Sequence, residues 1–158
     1  MRTLKAFVRV GLLGLACATA GAAHATGNFI CEVDDETLKL SAEATFSHGM
    51  GEQFTNFKGT MSVLMKDAPP DLAAIELGSD NLPHHWFRDD VLKLHIYRER
   101  EGTGREGYAE LFIETKRNSK DDTDFSGTYE LIVFRFLGEQ DPDGQTIKAK
   151  GKVSCSVG

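Results

Sequence analysis

The chain is poor in several features, and each shortage narrows the range of functions. Past residue 25 no apolar run approaches the roughly 18 residues that a membrane-spanning helix requires, so residues 26–158 read as free of a transmembrane segment. Lys and Arg number 18 against 24 Asp and Glu, and no basic stripe offsets the net charge of −6. Neither nucleic acid nor an anionic membrane is drawn to such a composition. No Gly-x-Ser-x-Gly elbow, phosphate-binding loop, dinucleotide-binding unit or His-Glu-x-x-His pair is spelled out, so the common ready-made catalytic sites are missing. Cysteine is scarce, three in 158 residues, with no Cys-x-x-Cys pair for redox catalysis. The sequence points away from an enzyme and requires no cofactor, although a hydrolase site assembled across distant strands needs no local motif.

What is present begins with a leader. Arg2, Lys5 and Arg9 make the start basic, Val10 to Ala23 is uncharged and rich in Leu, Ala and Gly, and Ala23-His24-Ala25 has the small residues a signal peptidase needs. Residues 1–25 are expected to be a signal peptide cleaved after Ala25. Cys17 leaves with it, because Gly14 stands three residues earlier where a lipoprotein signal carries an aliphatic side chain. Cleavage removes three basic residues and no acidic one, leaving 15 against 24, a net charge of −9 with His neutral. The expectation is a soluble exported protein, periplasmic or secreted, with residues 26–158 forming one β-domain.

Two cysteines then remain, Cys31 and Cys155, near the two ends of that domain. An even pair in an exported chain favours a disulfide. In the chain-entropy picture a loop of this length is stabilised by about 4 to 5 kcal/mol. Bridged Cα atoms lie about 5.5 Å apart, so the terminal strands must be neighbours or face each other across the core.

Period-two patterning dominates the rest. Leu38, Leu40, Ala42, Ala44 and Phe46 alternate with polar residues, giving a strand with one dry and one wet face. Further strands are expected at 28–34, 54–66, 91–99, 107–116, 126–137 and 146–157. Turn chemistry separates them at Ser47–Gly51, Glu101–Gly104, Asn118–Asp124 and Asp141–Gly144. The last strand sets Ile147, Ala149, Val153, Cys155 and Val157 on one face, with Lys148, Lys150 and Lys152 on the other. Residues 68–78 break the pattern and read as at most one short helix near 70–77, with Pro near its start and Gly past its end, or as a bent edge strand; the reading adopted is a helical turn leading into a strand at Ile75–Leu77. The fold class is mainly β: a single antiparallel β-barrel or β-sandwich of about seven or eight strands, its terminal strands linked by the disulfide.

Chemistry is densest at Leu82–Asp90, which holds the only Trp, two histidines, an Arg and two carboxylates. Trp86 either anchors a partner or plugs a barrel end. His84, His85 and His95, with His48, form the alternative metal-binding set, but adjacent His84 and His85 point to opposite sides of an extended chain. Strand 128–137 is apolar on both faces, Ile132, Phe134 and Phe136 on one and Tyr129, Leu131 and Val133 on the other. One face must be core; the other is covered by residues 67–82, a ligand or a partner. Tyr108 and Phe112 share a face with Glu110 and Glu114, and Tyr97 shares one with His95, so an aromatic strip dotted with polar groups crosses the outer sheet. Glu110 and Glu114 lie too far apart on an extended strand for a glycosidase pair. Asp122, Asp124, Ser126 and Gly127 resemble the opening of a calcium loop, but Val133 stands where its closing Glu belongs. The reading is a non-catalytic domain that binds a protein or small ligand through an aromatic face or barrel mouth, using Trp86, His84, His85, Tyr97, Tyr108 and Phe112.

Overall fold

Six residues, 78–83, join the fourth strand of the chain to the fifth, and those two strands are the opposite edges of one sheet. A flat nine-stranded sheet would hold its edges about 38 Å apart, whereas a six-residue link spans at most about 24 Å. The sheet must therefore curl. The computed structural model describes residues 26–47, 53–101, 106–136, 138 and 143–158. The expected leader, its cleavage site, Cys17, His48 and the turn residues 48–51, 102–104 and 141–142 lie outside the described residues.

The strands are β1 (Thr26–Asp34), β2 (Leu38–Ser47), β3 (Phe54–Val63), β4 (Ile75–Leu77), β5 (His84–Arg88), β6 (Val91–Glu99), β7 (Gly107–Asn118), β8 (Asp121–Arg135) and β9 (Gln145–Val157). They form one antiparallel sheet in the order β4-β3-β2-β1-β9-β8-β7-β6-β5, rolled into a half-barrel. All seven patterned stretches become strands, and β4 and β5 raise the number to nine. At most one short helix is expected near 70–77 and none is present there, while the strand expected at Ile75–Leu77 is β4. Pro69–Ala73 makes two tight turns, with Leu72 N–H donating to Pro69 O and Ala73 N–H to Pro70 O, and Ile75 and Leu77 then alternate into the core as β4. Two buried residues two apart are better served by a strand than by a helix too short to nucleate. Among the described residues the single helical element is a 3₁₀ turn at Ser79–Asn81.

The concave side is the core. Phe29, Phe46, Phe87 and Phe125 converge there, with Phe46 edge-on to Phe87 at 5.1 Å and Phe87 edge-on to Phe125 at 5.9 Å between ring centroids. A bulge in β3 adds one residue opposite β2 between Glu43 and Thr45, and Asn56 takes a positive φ of 54° there. It turns both Phe54 and Phe57 inward although they are three residues apart. Tight coiling also demands Gly127 on β8: a Cβ there would stand 2.0 Å from Glu114 O on β7.

Cys31 and Cys155 face each other directly across β1 and β9, with Cα atoms 4.0 Å apart, and both are buried. Asn28 and Gly158 exchange both backbone hydrogen bonds. The alternation of an antiparallel ladder makes Cys31 and Cys155 one of its close, non-hydrogen-bonded pairs. The terminal strands are thus neighbours, joined through the core face. A second tie crosses nearby: Asp35 accepts hydrogen bonds from Thr37 N–H, Leu38 N–H and Thr37 Oγ1, and from the buried Tyr129 hydroxyl at 2.6 Å.

Candidate functional site

On β5 the burial alternates: His85 and Phe87 point to the concave side, while His84, Trp86 and Arg88 point outward. The register with β6 and β7 then sets outward residues into rows across the strands. One row runs Trp86, Lys93, Glu114; the next runs His84, His95, Phe112; a third holds Tyr97 and Glu110. Side chains in such rows stand close enough to touch. His95 is stacked between His84 at 5.6 Å and Phe112 at 4.5 Å. Tyr108 lies 5.5 Å from Phe134 and 5.6 Å from Tyr97.

The expected aromatic strip is therefore assembled, with five of the six nominated residues, His84, Trp86, Tyr97, Tyr108 and Phe112, on the convex face. His85 is the exception. Its ring stacks on Phe54 at 4.5 Å, and its Nε2 accepts the Phe54 N–H at 3.3 Å, so it closes the curl between β5 and β3 instead of serving the outer face. Burial, aided by the neighbouring charge of His84, holds His85 below the ordinary histidine pKa.

Trp86 is 53 % exposed and Phe112 41 % exposed, so Trp86 does not plug the barrel end. Between them lies a hollow of about 230 Å³ lined by residues 84–86, 93–95 and 112–114. Residues 67–82 do not cover this face: Leu72, Ile75, Leu77 and Leu82 pack into the core cluster on the other side. Arg100, paired with Asp71 at 2.6 Å, and Arg135, near Asp67 at 3.8 Å, hold that segment in place.

The polar groups of the strip are paired to one another. Glu110 Oε1 meets His95 Nε2 at 2.7 Å, and Glu114 meets Lys93 Nζ at 2.6 Å; the Lys93 hydrogen bond holds the Glu114 carboxyl below its usual range. Two carboxylates each tied to a separate side chain, His95 and Lys93, do not form the facing pair of a glycosidase. His84, His85 and His95 do not converge, and among the described residues no group of three or more His, Cys, Asp or Glu is placed to hold a metal ion. Asp122, Asp124 and Ser126 belong to β8, so the calcium-loop resemblance is one of spelling only. Gly102–Gly107 has the letters Gly-x-Gly-x-x-Gly, but it falls between β6 and β7, neighbouring antiparallel strands, and not between a strand and a helix, so it is no dinucleotide-binding unit. Among the described residues no helix is long and apolar enough to cross a membrane.

Two elements were not anticipated from sequence. Arg117 donates from Nε to Asp90 Oδ1, from Nη2 to Asp89 O and from Nη1 to Asp122 O, and lies 4.8 Å over the Phe125 ring. It clamps the β5–β6 turn, where Asp89 has a φ of 55°, to the β7–β8 hairpin. The Asp35, Thr37, Tyr129 tie had one available signal, an Asp two residues before a Thr between two alternating strands, the spelling of an Asx turn. Comparison with protein-family models, with curated proteins and with solved structures gave no match.

Proposed function

We propose that the chain is an exported, disulfide-closed β-domain that works by binding, and that its docking surface is the convex face of β5–β7 around Trp86 and Phe112. The observation that carries this reading is the pairing of two large exposed apolar side chains across a shared hollow. Partly exposed aromatic area of this kind binds at low side-chain entropy cost, and the paired polar groups beside it supply a rim. His84, His95, Tyr97 and Tyr108 make up that surround, and a protein or a flat small ligand suits it. The disulfide and the leader-like first 25 residues support export.

The experiment has two parts. Intact mass of protein from its own exported fraction, before and after reduction, is expected to match a chain starting at Thr26 and to rise by about 2 Da on reduction. The wild type and the Trp86→Ala, Phe112→Ala double variant are then used side by side to retain partners from that fraction. The expected result is a species retained by the wild type and lost with the variant, both proteins melting alike. Equal retention by both, or none by either, contradicts the proposal.

A further inference from the structure

The seam between β1 and β9 is short. β1 pairs with β9 only at residues 154–157 and through Gly158, whereas β8 pairs with β9 continuously from Gln145 to Ser156. From Gln145 to Val153, β9 therefore has β8 on one side and no strand on the other. Successive residues of a strand send their backbone groups to opposite sides. The Asn28–Gly158 bonded pair assigns the even-numbered residues of β9 to the β1 side, and the unbroken β8–β9 register carries that parity back along the strand. The N–H and C=O groups of Thr146, Lys148 and Lys150 thus face an open edge, and among the described residues no backbone group bonds to them there. Their side chains are exposed on the convex face. Lys150 pairs with Glu130 at 3.1 Å, while Lys148 and Lys152 have no ion pair among the described residues. On the inner side of this edge Ile147 and Ala149 are only partly buried.

We propose that the Thr146–Lys150 edge accepts an extended acidic segment of a partner protein as an added β-strand, with acidic and apolar residues alternating in that segment. The free backbone groups supply the ladder hydrogen bonds. Acidic side chains on the outward face of the added strand lie opposite Lys148 and Lys150 and diagonal to Lys152, and inward apolar ones cover Ile147 and Ala149. A second copy of the same edge would set lysine against lysine, so self-pairing is disfavoured. The site is separate from the aromatic face, which occupies β5–β7 at the other margin of this half of the sheet.

The test uses the full, disulfide-intact protein and a fluorescent peptide alternating Glu and Val, read by anisotropy and by amide hydrogen exchange. Binding with slowed exchange at Lys148 and Lys150 is expected. The same peptide N-methylated on its amides keeps charge and side chains but cannot form the ladder, and is expected to bind at least tenfold more weakly. The Lys148→Glu, Lys150→Glu variant, at unchanged melting temperature, is expected to lose the Glu–Val peptide by a similar factor, whereas Trp86→Ala binds it as the wild type does. Equal binding of the methylated peptide, unchanged exchange at residues 148 and 150, or no binding by the wild type would overturn the proposal and leave the lysines as guards against edge-to-edge aggregation.

Discussion

Leu111 and Phe112 are chain neighbours on β7, and Trp86 and Phe87 are neighbours on β5, yet each pair divides between two faces that differ in kind. Leu111 and Phe87 are buried on the concave side, where the sheet closes around its own phenylalanines; Phe112, stacked on His95, and Trp86 stand out exposed on the convex side. Both faces are rich in aromatic side chains, so aromatic content does not separate them. What separates them is curvature. A concave face shortens the distance between its side chains until they exclude water, whereas a convex face spreads its side chains and leaves rings in contact only with row or diagonal neighbours. The inner face therefore carries stability, and the outer face is free for the recognition proposed above.

The largest break in that contrast comes from the covalent tie on the inner face. Replacing Cys31 and Cys155 together by Ser is expected to cost about 4 kcal/mol, mostly by releasing the unfolded chain, read as a lower urea midpoint. Next, Phe87→Ala is expected to cost about 3 to 5 kcal/mol and Leu111→Ala about 2 to 5 kcal/mol through lost burial and residual cavity, again by urea unfolding. Tyr129→Phe removes the donor to Asp35 and is expected to cost about 1 to 3 kcal/mol. Burial opposes ionisation of Asp35, but the hydrogen bonds from Tyr129, Thr37 and Leu38 outweigh it and hold the carboxyl down at about 2; burial and the Asp35 bond push the Tyr129 phenol up to about 12. A carboxylate with a depressed folded pKa stabilises above its unfolded value, so this contribution is complete above about pH 4 and is lost as pH falls toward 2. The Tyr129→Phe variant should lose less stability than the wild type over that interval.

His85 sharpens the comparison from the other side, because it sits between the faces. Burial lowers its pKa in the fold, while the unfolded chain takes up a proton near pH 6.5, so the unfolded state binds more protons just below that value. Stability is complete above about pH 6.5 and declines as pH falls below it. A His85→Leu variant should flatten that decline in thermal melts at successive pH values. The smallest effects belong to the convex face: Trp86→Ala and Phe112→Ala are each expected to change stability by less than about 1 kcal/mol. A loss comparable to that of Phe87→Ala would abolish the distinction between the faces.

Much of this was legible in the chain. Strict alternation in Phe29–Val33, Leu38–Phe46 and Ile147–Val157 determined which side chains turn inward, including both sulfurs, because a period of two leaves no freedom of face. The aromatic strip followed from the same rule applied to 91–99 and 107–116. Residues 84–88 were harder to read, because a five-residue strand with His, Trp, Phe and Arg has too few positions to display a period. Once its register with β6 is known, His85 falls inward at once. Residues 68–78 were legible in part: the turn and the strand at Ile75–Leu77 are both present, but Pro near the start and Gly at the end imitate helix punctuation and kept a short helix open beside them. A closed sheet was one of two forms the cysteines allowed; that the sheet curls only into a half-barrel was not legible, since this depends on the edge strands β4 and β5 and the six-residue link between them.

The most direct measurement is hydroxyl-radical footprinting of Trp86 and Phe112 in the purified protein and in its own exported fraction. The account predicts rapid oxidation of both in the purified protein, with marked protection of both, relative to other exposed side chains such as Leu64, in the native fraction. Equal oxidation in the two preparations would contradict it.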